Sequence, residues 1–163
     1  MSRLWLSGSA YVATVVAANV LTARYGLVAI GPLAVTAGTF AAGASLLARD
    51  WVQQGSRARL TVPLLIGLAA LVSAVTSTPA LAVASGLAFL VSELVDWAVF
   101  TPLRGRSLPG AVLASSAVAA PVDTVAFLWL AGFPLTGPAV LGQFIVKTGM
   151  ALGVAIWLHR RGA

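Results

Sequence analysis

Long runs of apolar residues follow one another along the whole chain, and each ends at a charge, a proline or a glycine. A hydrocarbon core of roughly 30 Å is crossed by about 20 helical residues, so runs of this length predict transmembrane helices. Short connections between the runs make neighbouring helices antiparallel. We expect one domain, residues 1–163, folded as an all-α integral membrane bundle of six transmembrane helices, with spans near 5–23, 27–48, 60–77, 80–101, 110–132 and 137–158.

The composition supports a fold embedded in lipid. The 163 residues are 60% hydrophobic and 9% charged, against roughly 45–50% and ~25% in soluble domains. A soluble chain of this length would leave apolar patches far larger than soluble monomers tolerate. The chain has no cysteine, and its single histidine, His159, stands beside Arg160. Thiol chemistry is therefore excluded, and we expect no metal site, no catalysis and no bound cofactor.

The basic residues predict the orientation of the bundle. Ten Lys and Arg residues give a formal charge of +6, but they lie between apolar runs, whereas a nucleic-acid-binding protein would gather them in one patch. Basic loop residues are retained in the cytoplasm. Arg24 alone falls on one side of the six spans, and the other side receives Arg3, Arg49, Arg57, Arg59, Arg104, Arg106, Arg160 and Arg161. We expect a multi-pass plasma-membrane protein with both termini in the cytoplasm and no nucleic-acid partner.

The four acidic residues of the chain all lie at or within predicted spans. Asp50 is at the cytoplasmic end of the second span, Glu93 and Asp96 are in the inner half of the fourth, and Asp123 is near the middle of the fifth. Lys147 is near the middle of the sixth. A charged group at mid-membrane costs about 2.5–3.5 kcal/mol on insertion scales, so such residues face a cavity or a partner and mark functional sites.

Helical spacing gathers these groups into polar faces. Glu93 and Asp96 are three residues apart, and Ser85 and Ser92 continue the same face of the fourth span. We therefore expect one side of this helix, including Ser92, to be polar for most of its depth.

The sixth span combines a polar face with a glycine face. Gln143 and Lys147 form an i, i+4 pair, and Gly149 and Gly153 lie roughly opposite. We expect the two glycines to pack against another helix and Lys147 to face the interior, within reach of Asp123 or Glu93. Three acids and one base leave surplus negative charge within the bilayer, which favours a ligand over a purely structural ion pair.

Three segments carry a family resemblance. "SELVDWAVFTPLR" begins at Ser92, "PVDTVAFLWLA" begins at Pro121, and "FAAGASLLARDWVQQGSRAR" runs from Phe40 to Arg59. In this order, and with six spans, they resemble the vitamin uptake transporter family, also called queuosine precursor transporters. The chain departs from that family's pattern at Ala120, where members often carry asparagine, and this difference bears on the cargo more than on the fold.

The resemblance implies a cargo and roles for several residues. The cargo would be a 7-deazaguanine base, a precursor of the modified tRNA nucleoside queuosine. Glu93 and Asp96 would line its path, Asp123 would lie opposite, Asp50 would mark an inner gate, and Trp97 would cover the face of the ring. A carboxylate can accept hydrogen bonds from two N–H donors on the edge of such a base.

Three interpretations remain open from the sequence. The chain is a stand-alone transporter of a small solute, or a substrate-binding subunit that docks on a separate energising module, or a structural membrane protein whose charges only tie helices together. The small residues Ala10, Ala13 and Ala17 of the first span offer a docking stripe for such a module or for a homo-oligomer. The expected partners are therefore a small-molecule substrate, the lipid bilayer and, in the second case, another protein.

Overall fold

The computed structural model describes residues 2–55 and 61–160. Within them the chain forms six helices and one two-stranded antiparallel sheet. The elements, in chain order, are α1 Ser2–Tyr25, β1 Leu27–Ile30, β2 Leu33–Thr36, α2 Thr39–Gly55, α3 Thr61–Thr76, α4 Pro79–Leu103, α5 Leu108–Leu130 and α6 Gly137–Arg160. The predicted number of six helices is found in the described residues, but four of the six, and not all, qualify as transmembrane helices. The helix ends for α3 to α6 agree with the predicted spans to within two residues.

Two of the predicted helix boundaries are set by side-chain caps. At the start of α4, the hydroxyl of Thr78 accepts a hydrogen bond from the backbone N–H of Leu81 at 3.3 Å. At the start of α5, the hydroxyl of Ser107 accepts from the N–H of Gly110 at 3.2 Å. Each cap satisfies a backbone donor that has no partner inside its own helix. Thr78 and Ser107 therefore fix the residues at which the two helices begin.

Within residues 2–55 and 61–160, four helical segments are long and apolar enough to cross a membrane, namely Leu6–Tyr25, Pro79–Leu103, Leu108–Leu130 and Gly137–Arg160. Helix α3 is apolar but has 16 residues, and α2 has 17. Large apolar side chains cover the outside of the bundle, and Val75 and Leu64 are 88% and 70% exposed. This exposure suits a protein whose outer surface faces lipid.

The second predicted span, 27–48, is wrong in its first half, and there the mostly helical chain departs from the predicted all-α fold. Residues 27–36 form the hairpin of β1 and β2, in which Leu27 pairs with Thr36 and Ile30 with Leu33. The connecting turn is Gly31-Pro32, and Gly31 has a φ of 59°. Positive φ at the first turn position, followed by a proline, gives a type II′ turn, which matches the twist of a hairpin. An apolar run alone does not distinguish such strands from a helix.

The hairpin follows α1 in the chain and packs against α6 through β2. Val35 and Thr36 of β2 are buried, whereas most of β1 is exposed. The N–H of Gly38 donates to the hydroxyl of Thr22 in α1 at 3.2 Å, and a Cβ at Gly38 would collide with the carbonyl of Ala18. Ala18 lies seven residues before the end of α1, which is about 10 Å along the helix. Helix α2 therefore begins inside the bundle, beside Ala18 and Thr22 of α1, and the hairpin precedes it in the chain.

The glycines that pack closely against a neighbouring backbone are Gly38 and Gly142, and not the predicted Gly149 and Gly153. Gly149 and Gly153 are exposed, and a Cβ at either would meet no atom of the described chain within 4 Å. Gly142 lies on the same stripe of α6, and a Cβ there would be 2.5 Å from the carbonyl oxygen of Ala34 in β2. The prediction for Gly149 and Gly153 is wrong because the hairpin is short and covers only the first turns of the stripe.

An apolar core seals the other half of the bundle. It is formed by buried side chains from α1, α2, α3 and α4, namely Tyr11, Val15, Ala48, Val52, Val62, Ile66, Ala69 and Phe89. The hairpin and this core lie at opposite sides of a small polar cavity.

Candidate functional site

A small polar cavity lies where five of the six helices and the hairpin meet. Its volume is about 20 Å³, which is enough for about one water molecule. Its lining residues are Ala18, Asn19, Thr22, Thr36, Gly38, Ala42, Ser85, Phe89, Asp123, Phe127, Gln143 and Lys147. The cavity is in the half of the bundle that contains the hairpin.

A buried ion pair forms one wall of this cavity. The Nζ of Lys147 donates to Oδ2 of Asp123 at 2.6 Å and to the hydroxyl of Thr124 at 3.0 Å. The side chains of Lys147 and Asp123 are 2% and 5% exposed. As predicted, Lys147 faces the interior, and of the two acids considered as its partner the structure selects Asp123. The pair joins α6 to α5, and its two formal charges cancel within the wall.

Two buried amides line the cavity with unsatisfied donors. Asn19 of α1 and Gln143 of α6 are 2% and 1% exposed. Among the described residues, the Asn19 Nδ2 and the Gln143 Nε2 have no hydrogen-bond partner. Leaving a buried donor unsatisfied costs roughly 1–3 kcal/mol. The two amides therefore leave hydrogen-bonding capacity inside the cavity, beside the ion pair.

The predicted polar face of α4 is buried, but most of it lies outside the cavity. Ser85 and Phe89 line the cavity, whereas Ser92, Glu93 and Asp96 are buried further along the same helix. The hydroxyl of Ser92 donates to the carbonyl of Phe89 at 3.1 Å. Asp96 is seven residues beyond Phe89, about 10 Å along the axis. The Phe89 ring thus separates the cavity from these acids, since it also belongs to the apolar core.

Trp97 and Asp50 are the other two predicted site residues, and the structure describes only the side chain of Trp97. The indole of Trp97 is 57% exposed on the outside of α4 and is absent from the cavity lining. A position on the lipid-facing surface suits an interfacial tryptophan. Asp50 lies in α2, but its side chain is outside the part of the structure that is described. Asp123, Lys147 and Gln143 are the predicted residues that line the cavity.

Sequence reasoning missed part of the cavity lining. Asn19 is the only asparagine of the chain, and it stands within an apolar helix three residues before Thr22. An isolated amide at such a position carries a desolvation cost and could have been identified by that signal. Thr36 could not have been found in this way, because it reaches the cavity through the hairpin.

The small-residue stripe of α1 lies at the bundle surface. Ala13 and Ala17 are exposed, and Ala13 borders an apolar groove between α1 and α3 that also contains Gly8 and Leu65. The docking of an energising module or of a second copy at this stripe stays a prediction.

Membrane-length helices around a small polar cavity define the class of the chain as a multi-pass membrane protein. The sequence model of one family, described as "Putative vitamin uptake transporter", matches residues 6–159. The chain belongs to this family, and the resemblance of its sequence is confirmed. No curated protein and no solved structure gives a significant match. The family brings with it a small-molecule substrate and a transport function, not an enzymatic one.

Proposed function

We propose that the protein imports a small, uncharged polar heterocycle, a 7-deazaguanine queuosine precursor, through the cavity around Asp123 and Lys147. The observation that carries this proposal is the position of the ion pair. The pair is buried in the wall of a polar cavity, with 2.6 Å between Nζ of Lys147 and Oδ2 of Asp123. Structural ties do not require a cavity with further polar side chains beside them. A transport site does, because a polar solute needs substitutes for its water shell on the way across the lipid.

The carboxylate of Asp123 suits the N–H edge of a guanine-like base. Such a base presents two neighbouring N–H donors, which one carboxylate accepts together. In the structure one oxygen of Asp123 is held by Lys147. The cargo would share or replace this hydrogen bond, and Ser85 would add a hydroxyl from the facing wall.

The described conformation is a contracted form of the site. A cavity of about 20 Å³ is far below the roughly 300–1,000 Å³ of pockets that enclose small-molecule ligands. Binding therefore requires helices to separate, and release on the other side requires Phe89 to move out of the path. Ser92, Glu93 and Asp96 would then line the second half of the route, which accounts for buried acids at a distance from the cavity.

Uptake of labelled 7-deazaguanine tests the proposal in cells that cannot synthesise such bases. We expect accumulation with the wild-type chain and little with Asp123→Asn at equal membrane abundance. Trp97→Leu is the matched control, because Trp97 is exposed on the outer surface, and it should transport normally. Equal accumulation in cells with and without the wild-type chain would refute the cargo, and ligand-induced thermal stabilisation of the purified chain would separate a transporter from a structural protein.

A further inference from the structure

We infer that the amides of Asn19 and Gln143 form a recognition pair for the hydrogen-bond acceptor edge of the cargo, in particular a ring carbonyl oxygen. This inference rests on the proposed function and extends it, since it states which chemical group of the cargo is recognised and by which side chains. Neither amide has a role in the ion pair.

The first argument is the hydrogen-bonding balance of the cavity. In the described chain, Nδ2 of Asn19 and Nε2 of Gln143 are buried donors with no acceptor. One oxygen of the Asp123 carboxylate accepts a hydrogen bond from Lys147, and neither amide donates to that carboxylate. The two amides therefore add unsatisfied donors to the cavity, which match a ligand that brings acceptors.

The second argument is the charge of the cavity. The positive charge of Lys147 is balanced by Asp123 at 2.6 Å, so a cargo with a net charge would enter a low-dielectric site without a counter-ion. An uncharged ring with a carbonyl oxygen avoids this cost. The N-terminal end of α2, which begins at Thr39 beside cavity residues Gly38 and Ala42, adds partial positive charge and favours the same electronegative edge.

The third argument is the origin of the two amides. Asn19 belongs to α1 and Gln143 to α6, and the hairpin packs against α6 at Gly142, next to Gln143 in sequence. A ligand held by both amides ties α1 to α6 beneath the hairpin. The pair therefore links recognition of the cargo to the elements that close this side of the cavity.

Binding of two ligands to the purified full-length chain tests the inference. The ligands are 7-deazaguanine and 2-amino-7-deazapurine, which lacks the carbonyl oxygen and the neighbouring N1–H, so the affinity for each ligand is compared between variant and wild type. Asn19→Leu and Gln143→Met keep similar side-chain volume and remove the donors. We expect each variant to bind 7-deazaguanine about tenfold more weakly, as for a lost hydrogen bond to a buried group, and to bind the analogue as the wild type does. Both variants should melt at or above the wild-type temperature, because each loses an unsatisfied polar atom.

A matched control is Ser73→Ala. Ser73 of α3 is 0% exposed and its Oγ has no partner among the described residues, but it does not line the cavity. It should leave both affinities unchanged. Wild-type affinity for 7-deazaguanine in both amide variants would overturn the inference and would assign to the amides a water-holding role only. Equal weakening for both ligands would also overturn it.

The outcomes separate this inference from the cargo proposal. If the wild type fails to bind 7-deazaguanine, the same variants are tested by thermal stabilisation with guanine, uracil and nicotinamide as uncharged carbonyl-bearing rings. Binding of one of these, lost in Asn19→Leu and Gln143→Met, would refute the cargo and support the recognition pair. Stabilisation by none of them would refute both.

Discussion

The ammonium group of Lys147 lies 2.6 Å from a carboxylate oxygen of Asp123, and this contact ties α6 to α5 inside the bundle. Both side chains are almost fully buried, so neither charge can turn to water if its partner is removed. Thr124 accepts a second hydrogen bond from the same ammonium group at 3.0 Å. The pair is therefore part of the packing of the bundle as well as part of the cavity wall.

Asp123→Asn should lower both stability and uptake. The substitution strands the charge of Lys147, and breaking a buried pair from one side costs about 3–5 kcal/mol. We expect a reduced melting temperature in detergent and little uptake.

The double variant Asp123→Asn, Lys147→Met separates these two effects. Removing the stranded charge should restore much of the melting temperature, because the two sites are coupled. Uptake should stay low, since the carboxylate is still missing. Full recovery of uptake in the double variant would show that the pair has only a structural role.

Asp96→Asn should reduce transport without weakening cargo binding. Asp96 is 0% exposed but does not line the cavity, and it lies beyond Phe89 on α4. The amide fills a similar volume, so the packing around it should be kept. Uptake rate and equilibrium binding are measured on the same preparation. A slower uptake with unchanged affinity would place Asp96 on the transport route beyond the cavity, and a large loss of affinity would place it in the binding site.

Gly142→Ala should destabilise the contact between the hairpin and α6. A Cβ at Gly142 would lie 2.5 Å from the backbone carbonyl oxygen of Ala34, so β2 must move. Overpacking of this kind costs about 1–3 kcal/mol. Gly149→Ala, on the same stripe with open space around it, is the control and should be neutral or slightly stabilising. Equal melting temperatures for both variants would contradict the hairpin packing.

Reporter fusions should place the two ends of the bundle on opposite sides of the membrane. Fusions after Arg59, Arg106 and Ala163 should report the cytoplasm, and fusions after Thr78 or Pro134 the far side. The reason is the distribution of loop Lys and Arg, with eight on one side and Arg24 alone on the other. A far-side signal after Ala163 would reverse this orientation or change the number of spans.

Apolar run length was sufficient to predict most of the fold. It located α3 to α6 closely, because proline, glycine and capping residues such as Thr78 and Ser107 punctuate the sequence there. It failed over residues 27–36, where the apolar run continues through two strands. The Gly31-Pro32 pair is the sequence signal for a turn in this run, but the hydropathy of the flanking residues favours a continuous helix.

The candidate site could be predicted only in part. Charge in an apolar helix identified Asp123 and Lys147, since burial of an ionised group demands a partner. The same signal could not distinguish Asp123, which lines the cavity, from Glu93 and Asp96, because burial is costly for all three carboxylates. Their separation depends on the position of Phe89, which is a matter of side-chain packing that helical spacing does not determine.

The exposed strand β1 has a consequence for where the lipid headgroups lie. Within the described chain the sheet has two strands, so the outer edge of β1 carries backbone groups that no other strand pairs. Such groups cannot remain in hydrocarbon and must reach water or headgroups. The headgroup layer therefore reaches Leu27–Ile30 of β1. Thr36, the last residue of the paired strand β2, lines the cavity. The permeability barrier is uneven as a result: one hairpin separates the cavity from the aqueous layer on this side, and the whole apolar core separates it on the other.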